Sequence, residues 1–178
     1  SGDFTFTIGS HIINVGTSFW FKPVSWPDPG GLNAGITAAV YVADAWDQTF
    51  AWFGTHSPYV SGVQGSTVGY TIGGAGNHTV RFDGYFYADQ AGTYTFTLST
   101  DQLVWGWFGS VVASPTPSNY TITSNGSQHT VTLAQGDFYP LLVIATTNTP
   151  ATLNVTVLVQ GGIYGASTGN WGSFNGWH

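Results

Sequence analysis

The chain of 178 residues contains no cysteine, no methionine and no glutamate. All eight acids are aspartate, and the only bases are Lys22 and Arg81. Each absence excludes something. Without cysteine there is no disulfide scaffold and no thiolate metal site. Helix surfaces are normally built from Glu, Lys, Leu and Met, so their scarcity argues against a helical protein. Two bases and a net charge of −6 rule out nucleic acid as a partner, because phosphate binding needs Lys and Arg. They also argue against docking on an anionic membrane. No apolar run approaches the roughly 18 residues of a membrane helix, so membrane insertion is not expected. The general acid and base repertoire is thin without Cys or Glu, and no enzyme is expected.

What is present is a β composition. Apolar residues make up 42 %, aromatics 16 % and charged residues 6 %, with 25 glycines. The length suggests one domain over residues 1–178, large enough to bury a core. The most regular stretch is 81–101. Phe82, Gly84, Phe86 and Ala88 alternate with Asp83, Tyr85, Tyr87 and Asp89. After the break Asp89-Gln90-Ala91-Gly92, Tyr94, Phe96 and Leu98 alternate with threonine and serine. A period of two with one wet face predicts two strands, read as a hairpin, with Tyr94, Phe96 and Leu98 inward.

Further strands are expected at 3–8, 11–15, 38–42, 48–53, 67–72, 78–82 and 103–108. A hairpin is expected from 120–123 and 129–133 about Asn125-Gly126, and a last antiparallel pair from 138–145 and 151–159. Residues 54–65 and the Gly-rich tail after residue 160 are expected to be irregular. Many short strands with regular turns predict an antiparallel β-sandwich with long Gly/Pro-rich loops.

Four N-x-Ser/Thr sequons, at Asn77, Asn119, Asn125 and Asn154, are candidate glycosylation sites of a secreted protein. Gly165-Ala-Ser-Thr-Gly169 fits the nucleophile-elbow pattern, but no later acid follows it. Asp44 and Asp47 read as a solvated turn rather than a catalytic pair. The histidines have no metal-ligand spacing.

The motif Gly84-Tyr85-Phe86-Tyr87-Ala88, followed by Gly92-Thr93-Tyr94-Thr95-Phe96, Ser99-Thr100-Asp101 and Trp107-Phe108-Gly109, resembles the core of GLEYA and protective-antigen-type β-sandwich domains, found among fungal cell-surface adhesins and flocculins. A second block, Gly136-Asp137-Phe138-Tyr139-Pro140-Leu141 running to Asn148, resembles that family's later strand and loop. Together they cover about residues 80–160. The resemblance implies a lectin-like, extracellular or cell-surface domain that binds glycans. In the sugar-binding members a calcium ion is held by two consecutive aspartates, completed by a loop Asn. Asp101 matches the first aspartate and Asn148 the loop residue. Gln102 stands at the second position, keeping an oxygen donor but removing a charge. Calcium suits such a site because it takes 6–8 hard oxygen ligands and exchanges water for hydroxyls.

A metal-free alternative is stacking of sugar on aromatic rings. Trp105 and Trp107, at strand spacing, share one face. Trp26 and Trp177 are the tryptophans expected to be most exposed. A second function class also fits: a structural subunit of an extracellular fibre or coat. Residues 4–8 alternate like 94–98, and charge cannot guard the sheet edges, so strand addition between copies would assemble it.

Overall fold

The computed structural model describes residues 4–8, 11–15, 26–31, 36–42, 45–63, 69–72, 76–100, 103–123, 128–147, 151–160 and 167–169. Two antiparallel sheets face each other. One holds six strands in the order β4 (Val60–Val63), β3 (Thr37–Val42), β6 (His78–Tyr87), β11 (Phe138–Thr147), β8 (Leu103–Phe108) and β9 (Ile122–Thr123). The other runs β10 (Gln128–Leu133), β7 (Gly92–Thr100) and β12 (Ala151–Gln160). Along the far side of β12 lie β5 (Gly69–Ile72) and β13 (Ser167–Gly169). The predicted antiparallel β-sandwich is the observed fold.

Alternation explains the inner layer. Phe82, Phe86, Val143 and Leu141 from one sheet meet Tyr94, Phe96, Leu98 and Leu133 from the other, each no more than 1 % exposed. The Phe86 ring meets Tyr94 and Phe96 edge-on across the gap, both at 5.3 Å, a favoured aromatic geometry. Gly106 of β8 is required by this closeness. A Cβ there would lie 3.0 Å from Leu98 Cδ1 and 2.8 Å from Phe108 Cε2.

Pairing departs from expectation in a consistent way. The two strands of the 81–101 stretch do not form a hairpin: β6 pairs with β3 and β11, β7 with β10 and β12. The turn between them crosses from one sheet to the other. The same holds for the expected hairpin about Asn125-Gly126, since β9 pairs with β8 and β10 with β7. It holds again for β11 and β12. For β6 and β7 both strands have a strong apolar face, and crossing the gap lets the two faces bury one another.

Three local expectations are also corrected. Residues 48–53 are not a strand but lead into one helical turn, α1 (Trp52–Thr55). Part of the expected 54–65 loop is β4, and part of the tail is β13. Ser167 therefore opens a strand paired with Val159, not a strand-to-helix elbow. Phe4–Ile8 (β1) pairs with His11–Val15 (β2) in a two-stranded sheet of its own.

The six-stranded sheet carries a second apolar layer on its outer face. Tyr41, Trp105, Trp107, Leu142 and Ile144 are covered there by Trp46, Phe50, Trp52 and Phe53, with Val111 and Val112 from the 3-10 turn Gly109–Ala113. The 45–56 segment is pinned where Trp46 donates its backbone N–H to Thr79 Oγ1 at 2.8 Å and its indole N–H to Thr49 O at 2.7 Å.

Candidate functional site: the loop end of the sandwich

The strand register defines one end of the molecule. Val42, His78 and Thr147 stand side by side, as do Thr146 and Leu103. Thr100 pairs with Leu153, and Ile72 with Ala151. Five connections leave from these strand ends: those after β3, between β5 and β6, β7 and β8, β9 and β10, and β11 and β12. Asp101, Gln102 and Asn148 lie outside the described residues, as do Asp44 and Asn125. The strand ends that flank them are neighbours: Leu103 follows the 101–102 link and pairs with Thr146, two residues before Asn148. Among the described residues no group of three or more His, Cys, Asp or Glu side chains comes together as a metal site.

The tryptophan route is corrected by burial. Trp107 is 0 % exposed and Trp105 9 %. Trp46 lies edge-on against both, at 5.1 Å from Trp105 and 6.1 Å from Trp107. Neither ring has a face open to a sugar, because the 45–56 segment folds back over them. Trp26 is half-buried, edge-on to Tyr139 at 5.2 Å. Trp177 lies outside the described residues.

The sequon asparagines differ in setting. Asn77 is exposed beside the loop end. Asn119 is half-buried and bonded into its turn. Its Oδ1 accepts from Thr116 N–H at 2.7 Å and from the Trp107 indole at 3.0 Å, and its Nδ2 donates to Ser114 O at 3.1 Å. Asn154 lies within β12, its backbone between Ser99 and Gly69.

Other polar candidates have structural roles. Asp137, from the second motif block, is 4 % exposed; its carboxylate accepts from Trp26 N–H at 3.2 Å and Ala134 N–H at 2.8 Å. Asp47 closes a turn by accepting from Thr49 N–H and Oγ1–H, each at 2.8 Å. His78 Nδ1 donates to Gly76 O at 2.8 Å, and the His56 ring stacks on Trp52 at 4.0 Å. His129 Nε2 meets the Tyr139 hydroxyl at 2.7 Å. Burial lowers the pKa of His129 and pushes that of Tyr139 up to about 12, so both favour their neutral forms.

A cavity of about 330 Å³ opens on the outer face of the six-stranded sheet, away from the loop end. Thr37, Asp83, Gly84, Tyr85, Val112, Pro140 and Leu141 line it. Asp83 and Tyr85 alternate with the inward residues Phe82, Gly84 and Phe86 of their strand. The outward run Arg81, Asp83, Tyr85, Tyr87 is unusually aromatic for a solvated face.

Residues 78–159 match the family model of the GLEYA domain. Over that stretch the chain is similar to a GLEYA domain. The match spans both motif blocks and the 101–102 and 148–150 links. Among solved structures, the A domain of epithelial adhesin 6 from Candida glabrata, solved with Galβ1-3GlcNAc, is similar, with a TM-score of 0.56 at 18 % identity over 78 % of this chain and 85 % of that one. A PA14 sugar-binding domain from an RTX adhesin superposes with a TM-score of 0.52 at 16 % identity, covering 78 % of this chain and 100 % of that one. A β-glucosidase from Kluyveromyces marxianus gives a TM-score of 0.54 at 14 % identity, over 76 % of this chain but only 18 % of the enzyme. No curated protein matches the sequence.

Proposed function

We propose that the chain is a carbohydrate-binding domain of adhesin type, extracellular or displayed at a cell surface, without enzymatic activity. The observation that carries this reading is the GLEYA match over residues 78–159, which takes in the 101–102 and 148–150 connections of the loop end. Similar adhesin domains were solved holding β-galactosyl disaccharides. The site is the loop end, and its polar groups are Asp101, Gln102 and Asn148. These supply one carboxylate and two amide carbonyls, all hard oxygen donors, which fit calcium rather than a transition metal. Calcium, when bound, accepts sugar hydroxyls in place of water. Asp101 provides the charge that holds it. Gln102, being neutral, leaves the site with one negative charge fewer than an aspartate pair and so with weaker affinity.

A glycan array with and without chelator tests this reading. Binding should fall with chelator and with Asp101→Ala. Binding that survives both moves the sugar off the loop end, and binding to no glycan refutes the lectin reading. Glycosylation belongs to the same extracellular reading, with Asn77 the most accessible described sequon.

One observation favours a second reading, a self-assembling structural subunit. β1 and β2 form a hairpin apart from the sandwich, and the edge strands β4 and β10 carry no base. Light scattering of the intact chain and of a chain lacking residues 1–9 decides it: polymers that vanish on truncation support strand addition, and a monomer at high concentration excludes it.

A further inference from the structure

The outer face of the six-stranded sheet is closed over only part of its area. From Tyr41 to Trp105 it lies under the 45–56 segment. Beyond the row Thr37–Asp83–Leu142 the cover ends. There β8 also stops: Phe108 pairs with Leu141, and Gly109, at φ +74°, turns the chain away into the 3-10 turn. A side chain at Gly109 would be strained by that φ and would press on the Tyr139 ring, so the turn is fixed. The cavity of about 330 Å³ is the space this leaves. Its volume falls at the lower end of the range for small-ligand sites.

The groups around it are arranged. Asp83 is held from below by Arg81, whose Nε–H and Nη2–H donate to separate carboxylate oxygens at 2.6 and 2.7 Å. The guanidinium in turn lies 4.7 Å over the Phe53 ring of the cover. Each oxygen of Asp83 has spent one acceptor direction on Arg81 and retains another. The carboxylate side chain is 42 % exposed. The Tyr85 phenol and the exposed Thr37 hydroxyl can donate as well as accept, while Pro140 and Val112 present apolar surface.

That chemistry selects a ligand class. The Asp83 charge is already neutralised by Arg81, which disfavours a free cation. No second base is described near it, which disfavours an anion. A neutral molecule with adjacent hydroxyls on one edge and a C–H face on the other satisfies every group: two hydroxyls to the two Asp83 oxygens, the C–H face against Tyr85 and Pro140. We propose that this groove is a metal-independent site for a neutral hexose, separate from the loop end. Five residues along β3 and β6 separate the Thr37–Asp83 row from the Val42–His78 row, about 17 Å. The proposal therefore stands or falls independently of the loop-end reading.

The test is an amide NMR titration of the full chain with the methyl glycosides of glucose, galactose and mannose, in EDTA, in the Asp101→Ala background. At least one glycoside should shift the amides of Thr37, Asp83 and Tyr85. Tyr85→Ala should weaken that binding about tenfold, and Thr37→Val should weaken it while leaving the spectrum otherwise native. Absence of groove shifts up to the solubility limit overturns the proposal. So does binding that appears only in the parent chain without EDTA, or binding that neither groove variant changes.

Discussion

The six-stranded sheet buries apolar side chains on both faces, but by different means. Its inner face is closed by a second sheet, and the described partners from that sheet, Tyr94, Phe96, Leu98 and Leu133, arrive on strands with a period of two. Its outer face is closed by a segment with little regular structure, one turn of helix and a 3-10 turn, whose weight is carried by Trp46, Phe50, Trp52 and Phe53. The inner layer is continuous. The outer layer is a patch, and where it stops the Thr37–Asp83–Tyr85 groove begins. An irregular cover can be cut to any outline, whereas a sheet must run the length of its strands. That is how one sheet can have a dry face and a face that is part core, part surface.

The largest test removes an inner ring. Phe96→Ala should cost about 3–5 kcal/mol in urea unfolding, because Phe96 is fully buried against Phe86, Phe108 and Tyr139. Next is the cover. Trp46→Ala should cost about 3 kcal/mol and should also make tryptophan fluorescence more accessible to acrylamide, because Trp105 and Trp107 lose their lid. If the two variants are equally quenched, the two layers unfold as one unit and the contrast between them is wrong.

A smaller effect should follow from the turn that closes the patch. Asn119→Ala removes an acceptor from the Trp107 indole, which retains Thr116 O at 3.0 Å. The expected cost is about 1–2 kcal/mol by thermal unfolding, and no loss would mean that the turn does not hold the cover.

The smallest effect is pH-dependent and belongs to the inner layer. His129 sits against Phe96, Phe108 and Tyr139, and burial lowers its folded pKa below the ordinary 6.5. The unfolded chain therefore binds the proton more readily. Its contribution is complete above about pH 6.5 and is lost as pH falls toward the folded pKa. His129→Gln should flatten stability between pH 7.5 and 5 relative to the parent, while Trp46→Ala should leave that slope in place.

The two layers also differ in how far the sequence reveals them. Alternation alone predicts Tyr94, Phe96 and Leu98 inward, and all three are 0 % exposed. Trp105 and Trp107 alternate just as cleanly, yet the shared face that alternation offers as a surface for sugar is covered. Alternation shows that two residues share a face; it does not show what lies on that face. Their cover, 45–56, has no period that would announce it as a lid. Of the proposed loop-end site, the sequence supplied Asp101, Gln102 and Asn148 through a family resemblance, and the register adds that the strand ends beside them are neighbours.

The all-β class, the position of most strands and which residues share a side of each are legible in the sequence alone, because side-chain direction along a strand follows from local geometry. Which strand lies beside which was decided only by tertiary structure. Three successive strand pairs that read as hairpins cross between sheets instead. A short turn and two apolar faces are compatible with either arrangement. The choice rests on where the other strands can bury their own faces, a property of the whole assembly and of no local stretch of chain.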